Sequence, residues 1–180
     1  MKRGRAGVLV VVIGLTVFLL DQIIKSWVRT NIPLYGAIYP VPTLAPVFRI
    51  THLTNTGVAF GFLQNSRLLY LLIVAVIVVT ATLYVRYLPW EKTLVQVAVG
   101  LQLGGAIGNL YDRLIQGHVT DFLDFFISKN GITYHYPPFN IADSAIVVGV
   151  ILLVVSMWSY EREQAHHHSL FSTEHVEDRL

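Results

Sequence analysis

No cysteine occurs among the 180 residues, which excludes disulfides, thiolate metal ligands and a thiol nucleophile. Charge is scarce as well. Asp, Glu, Lys and Arg make up 13% of the chain, against roughly 25% in a soluble domain. The net charge of +2 is too small for the electrostatic footprint of a nucleic-acid-binding surface. The sequence contains neither an HExxH metal-binding helix nor a Gly-x-Ser-x-Gly nucleophile elbow. Repeats and low-complexity tracts do not stand out.

Apolar residues fill the chain instead, at 54%. They collect in four uncharged runs: Ala6 to Leu20, Leu68 to Val85, Thr93 to Tyr111 and Ser144 to Tyr160. Crossing a bilayer core takes roughly 20 apolar residues of helix. The first run reaches that length because Ile23, Ile24, Trp27 and Val28 continue it past Asp21 and Lys25. The expected fold class is therefore an all-α membrane protein with four transmembrane helices, over about 7–28, 68–86, 93–114 and 141–160. Small extracytoplasmic β-rich segments and an interfacial loop or lid complete it. Residues 1–160 read as one membrane-embedded domain, and the polar stretch 161–180 as a mobile cytoplasmic tail. Although Lys2, Arg3 and Arg5 precede the first run, no small-x-small site follows before Asp21, so a retained span is expected rather than a cleaved leader.

Basic residues near helix ends set orientation. They are dense before the first run and between Arg86 and Lys92, and sparse from Arg29 to Arg67. Both termini and the 86–92 link are thus expected in the cytoplasm, with the segments 29–67 and 115–140 outside. Val47 to Thr54 is rich in β-branched residues and runs into the turn sequence Asn55-Thr56-Gly57. Asn130-Gly131 between two β-prone runs is a hairpin signal. The aromatic content of both outer segments suits the membrane interface. Gly100, Gly104 and Gly108 recur at the spacing that lets helices approach closely in lipid.

Ionisable groups at membrane depth are costly and mark function. Asp21 and Lys25 stand four apart on one helical face, as do Asn109 and Arg113. Asp112 lies among them, Asp121 and Asp124 follow the third run, and Asp143 opens the fourth after Asn140. With the expected orientation these groups gather at the outer membrane face. Taken singly, each has a purely structural explanation as an ion pair or a helix-end charge. Their convergence points instead to carboxylate chemistry, in which two close Asp residues share a proton and activate water. Spacing alone leaves the choice among Asp21, Asp112, Asp121, Asp124 and Asp143 open. The histidines at 166–168 and 175 lack metal-ligand spacing, and no metal or other cofactor is expected.

Five motifs then carry a resemblance. Asp21-Gln22-Ile23-Ile24-Lys25, Asn55-Thr56-Gly57-Val58-Ala59-Phe60, Gly104 through Arg113, Val119-Thr120-Asp121-Phe122 and Phe139-Asn140-Ile141-Ala142-Asp143-Ser144 stand in this order. Together they resemble the bacterial lipoprotein signal peptidases, also called signal peptidase II, over most of the chain. The resemblance implies a catalytic dyad of Asp121 and Asp143. It implies a supporting shell of Asp21, Lys25, Asn55, Gly57, Asn109, Arg113, Asn140 and Ala142. It further implies lipidated prolipoprotein substrates, contact with membrane lipid, globomycin-type inhibitors at the same site, a working monomer and residence in the bacterial plasma membrane. A proton-coupled transporter, a presenilin-type intramembrane protease and a non-catalytic scaffold are weaker readings. The spans are apolar at their centres, no inverted repeat is evident, and the sequence has no Gly-x-Gly-Asp motif.

Overall fold

A computed structural model describes residues 2–56 and 88–177, with side chains described over 7–56 and 88–164. Three helices are present in the described residues: α1 (Lys2–Asn31), α2 (Thr93–Gln116) and α3 (Ile141–Glu177). Each contains a stretch long and apolar enough to cross a membrane: Gly7–Asn31, Thr93–Gln116 and Ile141–Gln164. The expected second span, 68–86, lies outside the described residues, as does Gly57. Helix α3 continues through Glu161 to Glu177, beyond the span end near 160 expected from the apolar run.

The β-rich segments expected between the helices are present and join into a sheet, so the all-α label is too narrow for the chain. Between the helices the chain forms β1 (Ala37–Ile38), β2 (Phe48–Asn55), β3 (Val119–Lys129) and β4 (Ile132–His135), with a short 3-10 turn at Pro42–Leu44. They make one four-stranded sheet in the order β1-β2-β3-β4, every neighbouring pair antiparallel. Its two outer segments come from distant parts of the chain and complete each other's backbone hydrogen bonding. The β3–β4 hairpin turns at Asn130-Gly131, where both residues take positive φ (54° and 77°). Two consecutive left-handed residues are what a two-residue hairpin turn requires, and Asn-Gly supplies them cheaply.

The helices pack through their glycines. A Cβ at Gly100 would meet Ile13 at 2.9 Å, and one at Gly104 would meet the Gly14 carbonyl at 2.5 Å, so this side of α2 lies directly on α1. Gly105 faces the Ala142 carbonyl, and a Cβ at Gly149 would meet the Ala98 carbonyl at 2.7 Å, which brings α3 onto another side of α2. Lipid gives apolar side chains no reason to leave it, so close backbone approach takes over much of the work of a core. The outward faces are apolar accordingly, with Val8, Val12, Leu15, Leu19 and Ile23 exposed on α1. At the sheet end a small cluster of Val28, Ile32 and Phe122 joins α1 to β3.

Candidate active site

Short connections between α2, β3 and α3 bring the polar groups together. Helix α2 stops at Gly117, which adopts φ 78° and donates its N–H to the Arg113 carbonyl, so the chain reverses into β3 within two residues. Glycine takes this left-handed cap without a Cβ penalty. After β4 the chain returns beside β3, where the Phe139 N–H donates to the Leu123 carbonyl and the Leu123 N–H donates back at 2.8 Å. Asn140 follows at once and starts α3. The end of α2, the start of β3 and the start of α3 therefore meet at one junction.

Asn140 and Asp143 form a reciprocal cap at that start. The Asp143 N–H donates to Asn140 Oδ1 at 2.9 Å, and the Asn140 N–H donates to Asp143 Oδ2 at 3.3 Å. This capping box satisfies helix-end donors and sets the direction of the Asp143 carboxylate. Its other oxygen, Oδ1, accepts from Asn109 Nδ2 at 2.7 Å. Because Asn140 Oδ1 is committed to the cap, its amide nitrogen points the other way, donating to Asp121 Oδ1 at 2.8 Å and to Asn109 Oδ1 at 3.3 Å. Asp121 Oδ2 accepts from Asn55 Nδ2 at 2.8 Å. Both carboxylates are thus held by neutral amides.

A β-bulge makes the Asn55 contact. In the β2–β3 register Ile50 pairs with Leu123, yet Leu53 pairs with Asp121, so β2 carries one extra residue between them. That residue shifts Asn55 onto the face of Asp121, two positions along the partner strand. An unbulged β2 would turn Asn55 to the opposite face.

Behind the two carboxylates lies a cluster of charges. Lys25 is fully buried and directs its ammonium to Asp21 at 2.7 Å, Asp112 at 3.0 Å and Asn109 Oδ1 at 3.0 Å. Three acceptors match its three protons. Asp21 in turn accepts the Ala142 N–H at 3.0 Å, and Gly108 leaves it room, since a Cβ there would meet Asp21 Oδ2 at 2.9 Å. Asp112 accepts from Gln22 at 3.1 Å and from the Thr120 N–H at 3.4 Å, with Arg29 at 3.9 Å. Ala142 contributes its backbone and its smallness. Arg113 donates to the Asn109 carbonyl at 3.2 Å and braces the turn of helix that carries Asn109.

Of the residues expected at the site, Asp21, Lys25, Asn55, Asn109, Asn140, Ala142, Asp121 and Asp143 join in this one network, and Arg113 adjoins it. Asp124 stands apart: it is buried on β3 with Arg49 Nε at 2.6 Å and His135 Nδ1 at 2.9 Å. Sequence reasoning placed none of Gln22, Arg29, Asp112 and Thr120 in the supporting shell, although Gln22, Asp112 and Thr120 stand within the motifs. The spacing 21, 25, 29 on α1 was the available signal, because it extends the polar stripe by one more turn.

The environment also separates the groups electrically. Burial pushes Asp121 from the ordinary 3.8 up to about 6; the Asn55 and Asn140 hydrogen bonds and Lys25 oppose the rise, and the neighbouring Asp143 charge adds to it. A carboxyl poised near 6 beside a second carboxyl can hold a proton that the pair shares.

Apolar helices capped at one end by a sheet, with polar groups concentrated at the junction, define an integral membrane enzyme. The signal peptidase II family model matches residues 13–159. Among curated relatives, the lipoprotein signal peptidase of Alteromonas mediterranea is 40% identical over 145 residues, covering 78% of this chain and 75% of the relative. That of Pseudomonas aeruginosa is 38% identical over 160 residues, covering 86% and 91%. A solved structure described as a bacterial membrane enzyme, determined by the in meso method at 2.3 Å resolution, superposes with a TM-score of 0.69 at 29% identity, covering 83% of this chain and 87% of that one. The chain belongs to the signal peptidase II family of peptidases.

Proposed function

We propose that this protein is an aspartic endopeptidase that removes the signal peptide from diacylglyceryl-modified prolipoproteins, cleaving just before the lipidated cysteine. The observation that carries the reading is the pair Asp121 and Asp143, linked through Asn140 and each oriented by neutral amides at the sheet end of the helices. Family membership supports the substrate class, since relatives that share most of the chain are lipoprotein signal peptidases.

In this mechanism Asp121 carries the shared proton and Asp143 is ionised. Asp143 takes a proton from water as its oxygen attacks the scissile carbonyl carbon, while Asp121 donates to the carbonyl oxygen. Collapse of the tetrahedral intermediate breaks the C–N bond, the leaving amine receives the proton held by Asp143, and Asp121 regains its own. Asn109, Asn140 and Asn55 keep the carboxylates aimed through this cycle without neutralising them. No metal is called upon.

The basic N-terminus and 86–92 link support a topology with both termini cytoplasmic and the site at the outer face of the plasma membrane. A lipidated cysteine anchored in the outer leaflet would present its preceding bond at that depth. The aromatic outer segments would serve as platform and lid, and globomycin-type inhibitors would occupy the same cleft. One monomeric domain over 1–160, including the second span and Gly57, is the working unit.

The test uses detergent-purified protein with two forms of one precursor, lipidated and unlipidated, and mass analysis of the released peptide. Cleavage is expected of the lipidated form alone. Equal turnover of both forms would refute the substrate assignment.

A further inference from the structure

Thr120 immediately precedes Asp121 and is completely buried. Neighbouring strand residues point to opposite faces, so the Thr120 side chain lies on the back of β3 relative to the Asp121 carboxylate. Two contacts seize it there. Its N–H donates to Asp112 Oδ2 at 3.4 Å, and its hydroxyl accepts from Arg29 Nη1 at 3.1 Å. The same Arg29 nitrogen lies 3.9 Å from Asp112 Oδ1, and the Arg29 side chain is 24% exposed. Arg29 of α1, Asp112 of α2 and Thr120 of β3 therefore make one three-element clamp.

We propose that Arg29 is a positioning residue for catalysis, which acts through the Thr120 hydroxyl and the Asp112 carboxylate to fix the backbone from which Asp121 projects. The inference rests on the reading of Asp121 as half of the dyad. The physical case is one of leverage. Asn55 and Asn140 grip only the far end of the Asp121 carboxylate, so its distance from Asp143 also depends on where its Cα sits. The Gly117 turn leaves β3 attached to α2 by a pivot, and the clamp ties the two elements together just beyond it. Arg29 also supplies the second cation for Asp112, because Lys25 is divided between Asp112, Asp21 and Asn109. Thr120 is buried on the back of the strand, where it offers no surface to a peptide lying over Asp121. The clamp should therefore govern kcat and leave KM alone.

The experiment compares wild type, R29Q, T120V, R29Q/T120V, R29K and D143N in full-length, detergent-purified protein, with kcat and KM measured on lipidated precursor. T120V removes the hydroxyl while keeping volume and the backbone N–H, so it provides a mild variant should R29Q fold poorly. A small displacement of a reacting group is enough to cost about tenfold or more in rate. Expected are kcat losses of about tenfold in R29Q and several-fold in T120V, with KM within about twofold of wild type. The double variant should be no slower than R29Q, and R29K should recover part of the loss because it restores the charge. Wild-type kcat in both R29Q and T120V, or additive losses that appear chiefly in KM, would overturn the clamp. D143N reports separately on the dyad: if it is inactive while R29Q and T120V are normal, only the clamp falls. An active D143N would take down the dyad and the clamp together.

Discussion

Two pairs of carboxylates meet at the same junction, Asp21, Asp112 and Asp121 buried and Asp143 half-buried, and they are held in different ways. Asp21 and Asp112 lie against Lys25, with Arg29 at the edge, so two negative charges meet two positive ones. Asp121 and Asp143 accept their hydrogen bonds from the amides of Asn55, Asn109 and Asn140 and from a backbone N–H. An ammonium at contact distance offsets the charge of a carboxylate, whereas a neutral amide orients a carboxylate without neutralising it. Lys25 spends its protons on Asp21, Asp112 and Asn109, and reaches Asp121 only through space. On the proposed mechanism the charged pair builds the junction and the amide-held pair transfers protons. Asp124, gripped by Arg49 and His135, belongs with the charged type although it lies three residues from Asp121.

The largest effect should fall on the amide-held pair. Asp121→Asn and Asp143→Asn are each expected to lower kcat by about 10³-fold or more, since the general acid or the general base is lost. The double variant should be about as slow as either single one, because the two act as a unit. Insertion should be retained, and neither single variant should lose much stability. Wild-type cleavage by both single variants would end the aspartic mechanism.

Next comes the charged pair, where the cost should appear in folding. Lys25→Met strips the buried ammonium from Asp21 and Asp112, and removing one partner of a buried ion cluster costs about 3–5 kcal/mol. A large drop in the unfolding midpoint in detergent is expected, with activity falling in parallel because Asn109 and the Ala142 N–H lose their alignment. A Lys25→Met protein of normal stability but no activity would move Lys25 into the chemistry and blur the distinction between the pairs.

Asp124→Asn offers a smaller effect of the same type. Arg49 and His135 are partly exposed and can turn to water, so the loss should be about 1–3 kcal/mol of stability, with kcat near wild type at neutral pH. Inactivity at unchanged stability would show that carboxylates three residues apart on β3 cannot be sorted by their partners.

How much of this was legible beforehand depended on range. The described helices, the Asn130-Gly131 hairpin and the close-packing glycines were readable because each rests on local periodicity, local backbone preference or local spacing. The single sheet was not, since β2 and β3 pair across about seventy residues and β1 contributes only Ala37 and Ile38. The bulge that aims Asn55 has no signature in Thr51-His52. Five aspartates remained equal candidates on spacing, because partners decide their roles and those partners lie on other elements: Lys25 for Asp112, Arg49 for Asp124 and Asn140 for Asp121. The resemblance, carried by five ordered motifs, singled out Asp121 and Asp143. Gln22, Arg29 and Thr120 were passed over because a glutamine, an arginine near a helix end and a strand threonine each have ordinary uses.

The smallest expected effect tests the origin of the proton affinity. Burial raises Asp121 from 3.8 to about 6 in the folded protein, so between those values the folded state binds the proton more strongly than the unfolded chain does. Stability from this group is therefore fully present below about pH 4 and is lost as pH rises through about 6. Above that, the folded protein carries a buried carboxylate held by amides at a net cost. Asp121→Asn removes the titration, and rotation of the Asn55 amide can restore a matched donor and acceptor. The variant should accordingly gain about 1–2 kcal/mol over wild type at pH 8, and this gain should shrink as pH falls from about 6 to about 4. Thermal unfolding in detergent across pH 4–8 measures it directly. The charged pairs supply the contrast, because replacing Asp124 should destabilise at pH 8, where Asp121→Asn stabilises. A stability difference between Asp121→Asn and wild type that stays constant across that range would mean that Asp121 titrates like an ordinary exposed carboxylate. The amides of Asn55 and Asn140 would then be holding an ionised group in place rather than one poised to carry a proton.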